Sequence, residues 1–442
     1  MKHRIEIHEL GPIENCVCEL NDFTVFTGPQ SNGKSTIAKA IYFFRTIKQD
    51  IISIMQQGGP SVVTENKNAK WDHTLQQRLR NKFLELFGTS WVMSMNMTMM
   101  YTYRDNLWIR VYLKEDSINY DRNYVCFSFS EKFKDYLDDL DMQSFHDLTS
   151  SQLEKKEKSL VTLFDDPYET VFIPAGRNLI TLLSTQLNYI FTSLESSQLR
   201  NIDYITKRYT ELILRLKPLF KEGYDGIIFS VRDDPDQEKK YKKHRTAINM
   251  LLEREQAILN GSYRYVDGEE RLYLDSNKYV KINFASSGQQ EIVWVFNLLF
   301  YFLLEDKKVF LILEEPESHL FPDSQQGVGE ILALFANEDN QILVTTHSPY
   351  ILGTINYLLL AGQGRKETEP KIKTKLHKRY WIHPEKMSAF FVSEGNMSSA
   401  VDDGEDIVLI RNELIDGASQ RINEISDAII DFTYSQGAGV EE

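Results

Sequence analysis

The sequence GPQSNGKS at residues 28–35 fits the pattern G-x-x-x-x-G-K-[ST] at every position. Its glycines let a loop turn back on itself, so that backbone N–H groups point inward at phosphate oxygens. In such a loop, Lys34 reaches the β- and γ-phosphates of a nucleotide, and the Ser35 hydroxyl ligates Mg²⁺. The predicted nucleotide contacts are Gly28, Pro29, Gln30, Ser31, Asn32, Gly33, Lys34, Ser35 and Thr36.

The flanking sequence supplies the context that a phosphate-binding loop needs. The apolar and β-branched run at residues 23–27 predicts a short strand before the loop. Residues 36–58 predict a helix, because apolar residues such as Ile37, Ile41 and Phe44 recur at helical spacing. The positive end of that helix adds to the attraction for phosphate. An ordinary glycine turn, the alternative, is disfavoured by this order of strand, loop and helix.

A second segment carries acidic residues at the end of an apolar run. Residues 309–313, VFLIL, predict a strand buried on both faces, and three glutamates follow within the next four positions. We expect Glu314 to hold the magnesium shell and Glu315 to polarise the attacking water as a general base. Taken alone, the segment favours a strand followed by an acidic turn, and the phosphate loop reverses that preference. Glu317 is interpreted as a helix-start residue, stabilised by the helix dipole.

A histidine follows a third apolar run. Residues 342–344 predict another strand, which ends in Thr345, Thr346 and His347. Open α/β sheets place ligand chemistry at such carboxyl ends. We therefore expect His347 to hydrogen-bond the γ-phosphate and the attacking water. A purely structural histidine is the alternative.

The polar loop ASSGQQ at residues 285–290 lies between short predicted strands and the apolar helical run 292–304. The order GPQSNGKS, ASSGQQE, LILEEPES, VTTHSP resembles the ATP-binding-cassette (ABC) class of P-loop ATPases. It is most similar to the soluble branch that includes the SMC, RecF and OLD-family ATPases. The string IPAGR, which ends at Arg177, is similar to an IPA-x-R string of OLD-like ATPases.

This resemblance implies a head-to-tail dimer, with each ATP held between the phosphate loop of one chain and the signature loop of the other. The signature LSGGQ falls on residues 285–289, with Ser286 preferred as the phosphate-facing serine and a shift of one position left open. Residues 318–320 fall where the family has its dimer-crossing loop. The nucleotide contacts implied in this way are Ser286, Ser287, Gly288, Gln289 and Arg177.

The predicted fold class is α/β, an ABC-type ATPase head in which a parallel P-loop sheet is joined by an antiparallel β subdomain. Residues 90–130 are β-rich. A strand there would place four methionines on one face, Met93, Met95, Met97 and Met99. The predicted parts are the N-terminal core 1–177, a helical insertion 178–262, the C-terminal core 263–362 and a small C-terminal extension 363–442.

The net charge of −14 argues against non-specific coating of nucleic acid, which Lys and Arg would have to drive. A local basic surface for DNA is still possible from the runs 239–245 and 371–379, although solvated surface is the simpler interpretation. Three cysteines, Cys16, Cys18 and Cys126, are interpreted as free thiols in a reducing cytoplasm. The apolar run 292–304 is too short to span a membrane and predicts a buried helix.

The motifs together predict an ATP-binding and ATP-hydrolysing switch that uses Mg²⁺. By resemblance it forms a homodimer or higher oligomer and controls a separate effector, a nuclease or toxin, in bacterial phage defence or DNA maintenance. An alternative is an OLD-like nuclease with a reduced metal site at Asp402, Asp403 and Glu405. An ABC transporter subunit is disfavoured, because Glu-Glu-Pro-Glu stands where transporters have Asp-Glu-Pro-Thr, and because of the long helical insertion.

Overall fold

The computed structural model describes residues 2–427, apart from 67, 116–122, 146–147, 183–202, 276, 366, 403–406, 412, 416 and 418–422. The strands in this part of the chain are β1 Arg4–Leu10, β2 Ile13–Glu19, β3 Phe23–Thr27, β4 Thr98–Arg104, β5 Leu107–Glu115, β6 Asn123–Phe129, β7 Glu169–Ile173, β8 Ser262–Val266, β9 Glu269–Tyr273, β10 Tyr279–Lys281, β11 Val309–Glu314, β12 Gln341–Thr346, β13 Met387–Ser393, β14 Asn396–Ser399, β15 Val401–Asp402 and β16 Leu409–Ile410.

The α-helices of the described residues are α1 Lys34–Arg45, α2 Ile47–Gln56, α3 Pro60–Val63, α4 Trp71–Phe87, α5 Glu131–Asp141, α6 Ser150–Phe164, α7 Tyr204–Leu216, α8 Gly223–Ser230, α9 Pro235–Leu259, α10 Ser287–Leu304, α11 Pro322–Ala336, α12 Pro349–Gly362 and α13 Glu369–Lys373. Short 3₁₀ turns lie at Ser90–Val92, Lys217–Phe220, Val231–Asp233, Ile282–Phe284, Lys378–Tyr380 and Pro384–Lys386.

One sheet of eleven strands, in the order β6-β5-β4-β1-β2-β14-β13-β3-β12-β11-β7, organises the described chain. The five strands from β13 to β7 run parallel to one another. The five strands from β6 to β2 are antiparallel. The predicted fold class, a parallel P-loop sheet joined by an antiparallel β subdomain, is therefore confirmed.

The parallel strands are buried on both faces, as their continuous apolar sequences predict. In β11, Val309, Leu311 and Leu313 enter one hydrophobic core, which α9, α10, α11 and α12 cover. Phe310 and Ile312 enter the other core, which α1, α2 and α4 cover. Burial of each such side chain stabilises the fold by about 1.5–3 kcal/mol. Packing in the two cores therefore fixes the positions of the strand ends.

The parallel strands bring several loops to one edge of the sheet. The phosphate loop follows β3, His347 follows β12 and Glu315 follows β11. Residues 174–177 follow β7. Because carboxyl ends of parallel strands meet at the same edge, motifs far apart in the sequence become neighbours there.

The residues predicted as a small C-terminal extension supply part of the main sheet. β13 pairs in parallel with β3, and the hairpin partner β14 reaches β2 through Asn396 and Asn15. Met387 and Ala389 enter one core and Val392 enters the other. The segment therefore joins the parallel and antiparallel halves of the sheet.

The predicted strand with four methionines on one face is wrong. Turns close before β4 begins, because Met93 N–H donates to Ser90 O and Met97 N–H donates to Ser94 O. Met97 is buried, whereas Met95 is 41% exposed. The alternation at these positions is therefore a coincidence of sequence.

The helix predicted at residues 36–58 is interrupted at Thr46, whose Oγ1 donates to Tyr42 O at 2.7 Å. The predicted insertion 178–262 is helical from α7 to α9, and its residues 183–202 lie outside the described residues. The apolar run 292–304 is the buried body of α10, as expected. Within the described ranges, no helix combines the length and apolar character that crossing a membrane demands.

Candidate nucleotide site

The phosphate loop needs glycine at both ends for backbone and packing reasons. Gly28 has φ 137°, and a Cβ there would lie 2.1 Å from Val392 O. Gly33 has φ 97°, and a Cβ there would lie 2.2 Å from Cδ1 of Ile13. Any side chain would meet these neighbours and strain the backbone. The phosphate loop therefore packs against the β1–β2 turn and the start of β2 on one side, and against β13 on the other.

Lys34 opens α1 and lies across the mouth of the loop. Its Nζ donates to Gly28 O at 2.8 Å and to Pro29 O at 2.7 Å. Burial lowers the pKa of Lys34 to about 8, and the nearby Glu315 and Glu317 carboxylates oppose that shift. The first turn of α1 turns its free N–H groups toward the same space, as helix N-termini do.

Asn32 links the phosphate loop by a hydrogen bond to the C-terminal hairpin, which β13 and β14 form. Its Nδ2 donates to Gln30 O at 2.8 Å, and its Oδ1 accepts from Glu394 N–H at 2.8 Å. In the same turn, Gly395 O accepts from Glu14 N–H at 2.8 Å. The sequence around Asn32 does not by itself predict this contact. The Glu-Gly pair between two alternating segments is the hairpin signal that could have revealed it.

Glu314, the predicted magnesium ligand, is the last residue of β11. Its Oε2 accepts from Ala175 N–H at 3.2 Å. Its Oε1 is buried and, among the described residues, has no hydrogen-bond partner. A buried carboxylate oxygen without a partner is costly, and a cation would satisfy it. Ser35, which is exposed at the start of α1, is the other residue whose oxygen the motif assigns to Mg²⁺.

Glu315 adopts the left-handed conformation, with φ 43°. Its N–H donates to Thr345 O at 2.8 Å, which extends the pairing of β11 with β12 by one residue. Its carboxylate Oε1 lies 3.4 Å from Nε2 of His347. A strained backbone at a carboxylate of this kind is typical of functional sites.

His347 joins the phosphate loop to the acidic strand end. Its Nδ1 lies 2.9 Å from Gly28 O and 3.4 Å from Lys34 Nζ. Since a carbonyl oxygen only accepts, Nδ1 carries the proton in the contact with Gly28. The structure thus brings Lys34, His347 and Glu315 together, as the motifs predict.

Glu317 anchors the histidine and does not begin a helix, which corrects the prediction. It lies in a turn, and α11 begins only at Pro322. Its Oε1 accepts from His347 N–H at 2.7 Å and from Thr346 Oγ1 at 2.8 Å. These two bonds fix the end of β12, so Glu317 positions His347 through its backbone.

The predicted signature loop caps α10. Ser286 Oγ accepts from Gln289 N–H at 3.3 Å, and the Gln289 side chain accepts from Ser286 N–H at 2.9 Å, a capping box. Ser286 and Ser287 are exposed. Gly288 is buried, and a Cβ there would lie 2.7 Å from His319 O. The loop therefore presents a helix N-terminus to solvent and packs against residues 318–320.

The signature loop and the phosphate loop lie at different places along the edge. Gly288 contacts the turn after β11, whereas the phosphate loop follows β3, two strands away. In the order of the sheet, β12 lies between β11 and β3.

Arg177 is buried beneath the acidic strand end, with 0% exposure, instead of lining the phosphate loop. Its guanidinium donates to the carbonyl oxygens of Glu314 and Glu315. Of the alternative nuclease residues, Asp402 lies in β15, and Asp403 and Glu405 lie outside the described residues. Cys16, Cys18 and Cys126, all within the described chain, are free thiols.

A family model described as an AAA ATPase domain matches residues 1–352. Among solved structures, an SMC head bound to the C-winged helix domain of ScpA is 11% identical, with a TM-score of 0.38, covering 89% of this chain and 95% of that one. An SMC head with an extended coiled coil, bound to the C-terminal domain of ScpA from Pyrococcus furiosus, is 14% identical (TM-score 0.37; coverage 96% and 98%). The SMC head domain from Thermotoga maritima is 13% identical (TM-score 0.35; coverage 90% and 98%). No curated protein matches the chain.

Proposed function

The chain belongs to the AAA ATPase domain family, and from this premise we propose that it is an ATP-driven switch. ATP binding joins two chains head to tail, and hydrolysis lets them separate. The family match confirms the predicted P-loop ATPase family. Turnover, the dimer and its partner are our proposals.

The observation that carries the proposal is a contact between motifs 313 positions apart, Lys34 Nζ and His347 Nδ1 at 3.4 Å. With Glu315 Oε1 3.4 Å from Nε2 of the same histidine, a cation, an imidazole and a carboxylate line one space. This set can hold a γ-phosphate and a water at once. We would not expect a histidine with a purely structural role to contact both Lys34 and Glu315.

The proposed binding step uses the loop and the first turn of α1. Backbone N–H groups of residues 28–36 surround the phosphates, and Lys34 exchanges its carbonyl partners for phosphate oxygens. Ser35 and Glu314 would hold Mg²⁺, which neutralises charge on the β- and γ-phosphates when bound. The Gly28 and Gly33 backbones approach the phosphates closely because neither carries a side chain.

In the proposed chemical step, Glu315 accepts a proton from a water that attacks the γ-phosphorus. The bond from that phosphorus to the β-phosphate oxygen breaks, so the products are ADP and phosphate. In this step His347 carries a proton on both ring nitrogens, so that Nδ1–H stays on Gly28 O while Nε2–H donates to a γ-phosphate oxygen beside the water that Glu315 activates. The left-handed backbone of Glu315 aims its carboxylate into this space.

The proposed dimer places Ser286, Ser287, Gly288 and Gln289 of one chain over the nucleotide of the other. Two observations support it: the exposed N-terminus of α10, and its packing on the turn after β11, two strands along the sheet from β3, which the phosphate loop follows. We further propose that the dimer controls a separate effector, a nuclease or toxin, in phage defence or DNA maintenance in the cytoplasm. Helices α7–α9 and the C-terminal hairpin are the proposed partner surfaces.

Phosphate release by the purified chain with Mg²⁺ and ATP tests the ATPase assignment. Lys34→Ala should abolish nucleotide binding and turnover. Lys39→Ala, on the same helix but paired with Asp203 at 2.8 Å, should leave both nearly unchanged. Glu315→Gln should lower turnover by at least about 100-fold and keep ATP binding. Wild-type rates in both Lys34→Ala and Glu315→Gln would contradict the assignment.

Partner control is tested by pull-down from the native cell with ATP present. Glu315→Gln should trap the closed dimer and enrich a nuclease or toxin, which is then confirmed with purified components. Two Lys34→Ala chains, which bind no ATP, cannot close on each other and should not enrich it. Equal recovery with both variants would contradict nucleotide-dependent control of a partner.

A further inference from the structure

Arg177 is a fully buried arginine whose donors meet the acidic strand end, α10 and the loop after β7. Its Nη1 donates to Pro174 O at 2.9 Å and to Glu314 O at 2.5 Å, and its Nη2 donates to Glu315 O at 3.0 Å. Its Nε donates to Glu291 O at 3.1 Å. A buried guanidinium needs such partners, because an unpaired charge in the core is costly.

The contact with Glu315 holds a strained peptide. A non-glycine residue at φ 43° is strained and persists only where its surroundings impose it. The N–H of Glu315 is fixed by Thr345 O at 2.8 Å, and its carbonyl is fixed by Arg177. These two bonds keep the Glu315 carboxylate 3.4 Å from His347.

Arg177 also forms hydrogen bonds with α10, the helix that the signature loop caps. Glu291, in the second turn of α10, is 1% exposed, and its Oε2 accepts from the N–H of Arg177 at 3.1 Å and lies 3.2 Å from Nε. Its other oxygen, Oε1, lies 3.6 Å from Nδ1 of His319. One arginine thus connects α10 with the turn that carries Glu315.

We infer that Arg177 is a positioning residue. It couples α10, the helix that the signature loop caps, to the catalytic carboxylate of Glu315 in the same chain. When a partner's nucleotide docks on Ser286, movement of α10 reaches Glu315 through Glu291 and Arg177. Each of the two ATP sites of the dimer would therefore sense occupancy of the other. This inference rests on the proposed function, since it assumes that Glu315 acts on ATP.

A direct role in nucleotide binding conflicts with the burial of Arg177 and with its occupied donors. A buried ion pair that merely stabilises the fold is the remaining alternative. The two roles differ in what they change: positioning alters turnover at constant ATP affinity, whereas a structural pair alters the melting temperature alone.

The test compares Arg177→Lys with Arg45→Lys. Arg45 is also a buried arginine paired with a carboxylate, Asp166 at 2.7 Å, but it lies at the opposite edge of the sheet, beside Gln341 at the start of β12. Lysine keeps the charge, but its three donors on one nitrogen cannot reproduce the contacts of Nε, Nη1 and Nη2 with four carbonyl oxygens and the Glu291 carboxylate. Arg177→Lys should lower kcat at least about tenfold, with KM and the Kd of a non-hydrolysable ATP analogue within about twofold.

The melting temperature should fall by a similar amount in both lysine variants. The kcat of Arg45→Lys should equal that of the wild type. The inference is overturned if kcat falls no more in Arg177→Lys than in Arg45→Lys. It is also overturned if the Kd rises as much as kcat falls, because Arg177 would then act on nucleotide binding.

Hydrogen–deuterium exchange of the nucleotide-free protein separates this inference from the proposed function, because it needs no hydrolysis. Arg177→Lys should speed exchange of the amides at 315–320 relative to wild type and Arg45→Lys. Glu291→Ala, which removes the side-chain link between Arg177 and α10, should speed the same amides and lower kcat about threefold or more. Unchanged exchange in Arg177→Lys would overturn the positioning role, and wild-type behaviour of Glu291→Ala would overturn the coupling. A wild-type chain without ATPase activity would overturn the proposed function and the catalytic coupling together, while the exchange result would still decide whether Arg177 positions Glu315.

Discussion

The Nε2 atom of His347 lies 3.4 Å from the Oε1 atom of Glu315. The two residues follow the adjacent parallel strands β12 and β11, where Thr345 pairs with Glu314. The Glu317 carboxylate accepts a hydrogen bond from the backbone N–H of His347, and Gly28 O accepts one from its Nδ1. The relationship is therefore built into the sheet.

His347→Ala should lower ATP turnover by about 100-fold or more, because the γ-phosphate and water lose their donor. The Kd for ATP should change by less than about threefold, since Lys34 and the loop supply most of the binding. His8→Ala, at a side chain that is 52% exposed, is the control and should behave as wild type. A rise in Kd that accounts for the whole loss of turnover would refute a role in the chemical step.

Asn32→Ala should raise the Kd for ATP by about threefold to tenfold, because the loop loses its hydrogen bond to the C-terminal hairpin. Titration with a fluorescent ATP analogue measures this change. The hairpin side of the bond is the backbone N–H of Glu394, so Glu394→Gln should keep wild-type affinity. Weakened binding in Glu394→Gln and normal binding in Asn32→Ala would reverse our assignment of this contact.

Gly288→Ala should reduce ATP-dependent dimerisation at least about tenfold. The added Cβ would lie 2.7 Å from His319 O, so the turn at 318–320 or the start of α10 must move. Light scattering with ATP measures the dimer, and ATP binding by the monomer should persist. Gly353→Ala, in α12 with open space around the new Cβ, should dimerise normally. Normal dimerisation by Gly288→Ala would remove the signature loop from the interface.

Glu255 should make the stability of the fold depend on pH. Burial raises its pKa to about 8 from 4.5, and the Tyr224 hydroxyl lies 3.3 Å away. The unfolded chain releases this proton near pH 4.5, while the folded chain retains it up to about pH 8. This contribution to stability is therefore full below pH 4.5, falls by up to about 1.4 kcal/mol per pH unit between these values, and levels off above them.

Urea denaturation between about pH 5 and pH 8 checks this prediction. Glu255→Gln should flatten the dependence, whereas Glu253→Gln, at an exposed position on the same helix, should leave it intact. The same slope in wild type and Glu255→Gln would assign the effect to other groups.

Much of the fold and the site follows from local sequence. The run 309–313 is apolar throughout because β11 is buried on both faces, and this pattern identifies the parallel sheet. Once that sheet is assumed, the adjacency of Lys34, Glu315 and His347 follows from strands that end at one edge.

The remaining features depend on contacts between distant segments. The sequence of β13, MSAFFVS, mixes polar and apolar residues, and nothing local shows that it inserts beside β3. The bond from Asn32 to Glu394 depends on that insertion. Arg177 was predicted to bind nucleotide because its string is similar to a family motif, yet its burial depends on Glu291 in α10, which local spacing does not reveal. The methionine alternation failed because turns stop the strand at Thr98.

The central claim, that each ATP is hydrolysed between two chains, is tested most directly by mixing two inactive variants. Lys34→Ala lacks the phosphate-binding lysine, and Ser286→Arg blocks the signature loop. In a mixed head-to-tail dimer, one of the two sites combines an intact Lys34 with an intact Ser286. Random pairing therefore predicts ATP turnover of about one quarter of the wild-type rate. A mixture no more active than the sum of its separate components would contradict hydrolysis between chains.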